Sequence, residues 1–175
     1  MAEWHATMEG LVRDRERALL GYAYLVCGDS TQAQDLVQDA LVRTFSRPRP
    51  GLTVPKAEAY VRRAITSAFV DQYRRRQRWA RVQHLFRPGD RLDDVAKDVD
   101  MSADVTLAVS SLPPRERACI MLRFFDDLTV PQIGRQLGLA EGSVKRYLSD
   151  GIDRLERALG PLEDAKAETT PVAGR

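Results

Sequence analysis

The stretch TVPQIGRQLGLAEGSVKRYL, residues 129–148, decides the fold. Thr129 is suited to cap a helix that has Pro131 in its first turn and Ile133 and Leu137 on its inner face. Gly138 breaks that helix. A second amphipathic helix begins near Glu141 and carries Val144, Tyr147, Leu148, Ile152 and Leu155. A small residue, a turn glycine and an apolar anchor fall in order at Gly134, Gly138 and Val144, as a steep helix crossing requires. Gly134 itself counts against the first helix, because alanine there would favour it by about 1 kcal/mol. Ser143, Lys145 and Arg146 lie at the exposed start of the second helix, the end that reads base edges in helix-turn-helix proteins. Glycine-turned hairpins also occur in ordinary bundles, so the motif alone does not decide function.

Upstream, Pro113-Pro114 opens an apolar-periodic segment with Ala118, Ile120, Met121, Leu122, Phe124 and Phe125, which Asp126-Asp127 closes. Towards the N-terminus, apolar residues recur three and four apart and no strand-like alternation is found, which predicts an all-α chain. A first helix is expected from about Glu9 to Val26, with Leu11, Val12, Leu19, Leu20, Ala23 and Leu25 inward. A second, capped by Asp29 or Ser30, is expected to run to about Ser46 on a stripe of Leu36, Val37, Ala40, Leu41 and Phe45. Pro48, Pro50 and Gly51 force a loop. A third helix starts at Thr53 and Pro55, carries Tyr60, Val61, Ala64, Ile65, Ala68 and Phe69, and continues into Tyr73-Arg74-Arg75-Arg76.

The 175 residues carry a net charge of only +2, and that small average conceals two patches. Residues 71–91 hold seven arginines against two aspartates, whereas residues 92–104 hold five aspartates against one lysine. Such segregation suits a protein that handles polyanions on one face. Residues 81–103 read as a flexible acidic linker, with one helical turn expected around 92–99, and residues 161–175 as a disordered tail. Two small helical domains, 8–80 and 104–160, are therefore expected. No apolar run approaches the roughly 20 residues of a membrane span, and the N-terminus lacks an export pattern, so a cytoplasmic location is expected. Cys27 and Cys119 each sit in apolar helical context and read as buried free thiols. With those and two histidines, His5 and His84, no metal-ligand spacing exists. No nucleophile–base pair or phosphate-cradling glycine loop is present, which points away from an enzyme, a cofactor or a small-molecule substrate.

Together these words resemble the extracytoplasmic-function (ECF) sigma factors of the sigma-70 superfamily, specificity subunits of bacterial RNA polymerase. Ser111 to Arg117, Leu122 to Thr129 and Gly142 to Arg146 are similar to the family's fourth region. Gly28-Asp29 with Ala33 to Ala40 is similar to its second region, and Arg63 through Asp71 to Arg74-Arg75 to its promoter-melting helix. The run Tyr60-Val-Arg-Arg63 also resembles an actinobacterial subgroup. The family often has asparagine where Ser67 stands and arginine where Tyr147 stands, so base preference does not carry over.

The resemblance implies a region 2 bundle and a region 4 helix-turn-helix, with core RNA polymerase and promoter DNA as partners and, in many members, an anti-sigma factor. It implies a polymerase-docking face of Gln34, Asp35, Gln38, Asp39 and Arg43. For the downstream (−10) element it implies Arg47 and Arg49 in the base-capturing loop 46–54. Along the third helix it implies Tyr60, Arg62, Arg63, Ser67, Arg74, Arg75 and Arg76, with Phe69, Tyr73 and Trp79 as further aromatic candidates, Phe69 being better read as core. For the upstream (−35) duplex it implies Ser143 and Arg146 at base edges, Lys145, Arg135 and Arg115 at phosphates, and Tyr147 either packed under its helix or reaching a phosphate. In the family the acidic segment threads the core enzyme; a merely solvating linker explains the charges equally well. Two other functions stay open on the residues alone: a helix-turn-helix regulator with an N-terminal sensor domain, and an adaptor or inhibitor that binds protein through both domains.

Overall fold

The computed structural model describes residues 2–47, 49–80 and 103–161. The expected helical turn at 92–99 and all of the expected tail beyond Pro161 lie outside the described residues, as does the expected linker except for Ala103. Among the described residues every element is helical. The chain divides into two compact units, residues 1–101 and 102–175.

In the first unit, α1 (Ala2–Cys27), α2 (Ser30–Phe45) and α3 (Val54–Ala80) pack on one another. The apolar stripes meet as the periodicity requires: Leu11, Leu19, Leu25, Leu36, Val61 and Ile65 are fully buried, each such side chain contributing about 1.5–3 kcal/mol. Val12, Leu20 and Leu41, expected inward, are only half-buried at the margins of those stripes. One polar pair lies inside, the Tyr22 hydroxyl 2.8 Å from Thr66 Oγ1. Asp29 caps α2 by accepting from the Gln32 amide at 2.6 Å. The first helix begins at Ala2, seven residues before the expected Glu9. Its extra turns are held by tertiary partners that periodicity does not reveal. The Trp4 ring meets Phe45 edge-on at 6.0 Å, and Thr7 Oγ1 donates to Leu52 O at 3.0 Å.

In the second unit, α4 (Ala103–Ser111), α5 (Pro114–Ile120), a π-helical turn (Met121–Phe125), α6 (Val130–Leu137) and α7 (Glu141–Leu159) follow in order. The helix α4 was not anticipated, and it claims Ala103 from the expected linker. Arg117 explains its end: the side chain is 8% exposed, and its guanidinium donates to Ser110 O and Leu112 O, satisfying terminal carbonyls. The apolar-periodic segment opened by Pro113-Pro114 changes pitch after Ile120. Beyond the end of the wider turn at Phe125, Asp127 takes φ +51°, and the Leu128 amide reaches back to Leu122 O. The pitch change leaves Phe124 40% exposed, although the apolar pattern placed it inward.

The helix-turn-helix is built as its sequence demands. Thr129 Oγ1 accepts from the Gln132 amide while Gln132 Oε1 accepts from the Thr129 amide, a complete capping box. Gly138 ends α6 at φ +61°, ψ +44°. The Leu139 amide donates back to Gly134 O at 2.9 Å. That return brings Leu139 O so close that a Cβ on Gly134 would sit 2.8 Å from it. The apparent defect at Gly134 is therefore what lets the chain close its turn. Val144, Leu148, Ile152 and Leu155 anchor α7 in the core.

Candidate nucleic-acid interface

At the start of α7, Lys145 and Arg146 are exposed and Ser143 is half-buried. They follow the first turn directly, so their placement is inherited from the rigid turn at Gly134, Gly138 and Val144. Tyr147 is half-buried, and its ring carries the Arg146 guanidinium at 5.1 Å from the centroid. Its hydroxyl does not stand free: Arg115, on α5, donates to it at 3.1 Å. That hydrogen bond, opposed by burial and helped by the polar contact and charge of Arg146, holds the phenol below its ordinary pKa. Arg135 is exposed in the last turn of α6, where a cation also complements the helix dipole. Five of the six residues expected at the −35 element thus come from α6 and α7, and α5 supplies Arg115.

The expected polymerase-docking residues form one outward face of α2. Gln34, Asp35, Gln38, Asp39 and Arg43 are all exposed, opposite the buried stripe of Ala33, Leu36, Val37 and Ala40. The structure adds Val42, 69% exposed, which the sequence reading missed. Its signal was present: Val42 lies three, four and seven residues after Asp39, Gln38 and Asp35, out of register with the core stripe. An exposed valine among polar groups gives this face an apolar centre.

The expected −10 residues divide into two sets. Arg47 and Arg49 are exposed in the loop, and the Arg49 guanidinium lies 4.8 Å over the Tyr60 ring, which is 43% exposed. Arg75 and Arg76 are exposed, Ser67 and Arg63 are half-buried, and Arg74 stands 3.9 Å from Asp71. Arg62 is engaged internally, 3.2 Å from Glu58, with Tyr22 beneath it at 6.0 Å. Glu58 is the second residue missed: its carboxylate also pairs with Arg15 at 2.9 Å and so joins α1 to α3. Phe69 is 6% exposed and belongs to the core, as expected. Tyr73 is half-buried and accepts from Gln77, and the Trp79 side chain lies outside the described residues.

The cysteines differ from each other. Cys119 is fully buried and burial pushes its thiol up to about 12. Cys27 is only half-buried, a correction to the expectation that both are enclosed, because it ends α1 and points to the turn, donating to Asp29 O at 3.2 Å. Among the described residues no cluster could hold a metal ion, and no helix is long and apolar enough to cross a membrane.

Comparison with known proteins finds two family patterns in chain order. The sigma-70 region 2 pattern matches residues 11–79, and the sigma-70 region 4 pattern matches residues 102–155. The RNA polymerase sigma-E factor of Streptomyces avermitilis is 32% identical over 166 residues, spanning 91% of this chain and 89% of the relative. The ECF RNA polymerase sigma factor SigL of Mycobacterium tuberculosis is 28% identical over 161 residues, spanning 90% and 91%. Among solved structures, the sigma factor RpoE from Bartonella quintana, in complex with the anti-sigma factor NepR, superposes with a TM-score of 0.57 at 21% identity. It covers 90% of this chain and 94% of that one, a likeness of fold. Both conserved regions in the right order, together with a full-length relative above thirty per cent identity, identify the chain as a member of the ECF group of the sigma-70 family, the RNA polymerase subunits that direct transcription initiation to promoters.

Proposed function

We propose that residues 8–80 dock on core RNA polymerase and open the −10 element, while residues 104–160 read the −35 element as duplex. In this reading α2 meets the polymerase through Asp35, Gln38, Asp39 and Val42. The loop with Arg47 and Arg49, the Tyr60 ring and the basic end of α3 hold an unpaired strand, since single-strand capture takes cations for phosphates and flat rings for bases. The start of α7 enters the major groove, with Arg146 suited to grip a guanine through two acceptors and Lys145, Arg135 and Arg115 positioning on phosphates.

The observation that carries the reading is the exposure of Lys145 and Arg146 on the helix that follows a closed glycine turn. The chain performs no catalysis; phosphodiester chemistry belongs to the core subunits, and the site of action is the cytoplasm, where that enzyme works. An anti-sigma factor is a fitting regulator, as the NepR complex of the structural neighbour illustrates. The test is run-off transcription from core polymerase and this protein alone. Discrete start sites support the proposal, whereas a helix-turn-helix regulator requires another specificity subunit and yields none.

A further inference from the structure

Several arginines of this fold are held by carboxylates. Arg15 and Arg62 share the carboxylate of Glu58, and Arg154 lies 3.0 Å from Glu116. A guanidinium held by a carboxylate is fixed, but its charge is cancelled. Arg115 is held differently. Among the described residues no carboxylate stands within ion-pair distance of it, and its partner is the neutral Tyr147 hydroxyl at 3.1 Å. The residue is half-buried, and its Nε is enclosed by protein without a hydrogen-bond partner among the described residues, which limits how far the guanidinium can sweep. The same phenol carries Arg146 on its ring face. One tyrosine on α7 therefore holds a cation from α5 by its oxygen and a cation of its own helix by its ring.

We propose that Tyr147 is a positioning residue for −35 binding: its neutral hydroxyl orders the Arg115 guanidinium beside the start of α7 while leaving the full positive charge for a phosphate. The physical gain lies in ordering. An arginine loses substantial rotamer freedom when it grips a phosphate, about 0.5–1.5 kcal/mol for an immobilised side chain, and a hydrogen bond made before binding removes part of that cost. A carboxylate at this position would order Arg115 equally well but would remove the attraction that binding uses. A guanidinium has five N–H donors; with one given to the phenol and the Nε–H enclosed, three remain for a phosphate. This rests on the −35 reading of α7 given above.

The test compares Tyr147→Phe, Arg115→Ala and the double variant in the reconstituted holoenzyme, titrated with promoter duplex carrying the −35 element over a range of salt. Phenylalanine keeps the ring under Arg146 and deletes only the oxygen. Tyr147→Phe is expected to weaken binding about twofold to fivefold, a part of the roughly twofold to twelvefold that the whole ordering cost represents. Arg115→Ala is expected to weaken binding and lower the slope of log K against log salt by about 0.9, one phosphate contact. In the Arg115→Ala background, removal of the oxygen is expected to change nothing further. Multiplying effects, or wild-type affinity in Tyr147→Phe, would overturn the proposal while leaving the −35 reading intact. Wild-type holoenzyme that ignores the duplex would instead overturn that reading, and this one with it.

Discussion

Two glycines eight residues apart in the helix-turn-helix should respond in opposite directions to the same substitution. Gly142 lies in the first turn of α7, and a Cβ built there meets nothing within 4 Å. Alanine restricts the unfolded chain there without native strain, so Gly142→Ala should stabilise the unit by about 0.4–1 kcal/mol. Gly134 lies within α6, where alanine alone would bring about 1 kcal/mol of helix preference. Its Cβ, however, would stand 2.8 Å from Leu139 O, a backbone atom that cannot rotate aside. Relieving such overpacking costs about 1–3 kcal/mol, so the net effect should be a loss of about 1 kcal/mol. Native-state hydrogen exchange of the α6 and α7 amides measures this within the intact chain. Exchange should slow about twofold to fivefold in Gly142→Ala and quicken about fivefold in Gly134→Ala. The displaced turn should also weaken −35 duplex binding in Gly134→Ala alone. If Gly134→Ala protects those amides as well as Gly142→Ala does, the close approach at Leu139 is not restrictive and the account of the turn fails.

Replacing Arg146 with alanine should cost about 1–3 kcal/mol at −35 sequences offering the matching guanine and little elsewhere; a uniform loss across promoter variants would reduce it to a phosphate contact. Asp35→Lys with Asp39→Lys should abolish co-purification with core polymerase, and Val42→Asp should weaken it, all with unchanged helical circular dichroism; retention of core by these variants would move the interface off α2. At pH 7 maleimide should label Cys27 and spare Cys119, whose thiol burial holds at about 12 in the folded chain. An unfolded chain ionises that thiol from about 8.5. This contribution to stability is therefore constant at neutral pH and falls as pH rises between those two values, by up to about 1.4 kcal/mol per unit. Urea unfolding between pH 7 and 10.5, with Cys119→Ala as reference, checks this; parallel pH profiles for the two proteins would refute it.

The boundary between what was legible and what was not follows interaction range. Helix periodicity, the Asp29 and Thr129 caps, the Gly138 turn and the outward face of α2 are consequences of residues within one or two turns of each other, and so could be read directly. The order of two recognisable regions carried the function. Tertiary structure decided the features whose causes lie far along the chain. The first turns of α1 exist because Trp4 and Thr7 meet Phe45 and Leu52, and Glu58 of α3 is set against Arg15 of α1, 43 residues away. The state of Arg115 is also tertiary. Sequence counted Arg62 and Arg115 alike as cations; Arg62 meets Glu58 one turn away on its own helix, but only folding set Arg115 against a phenol 32 residues along the chain. Charge is a property of the residue, whereas the charge left available to DNA depends on the neighbour that folding supplies.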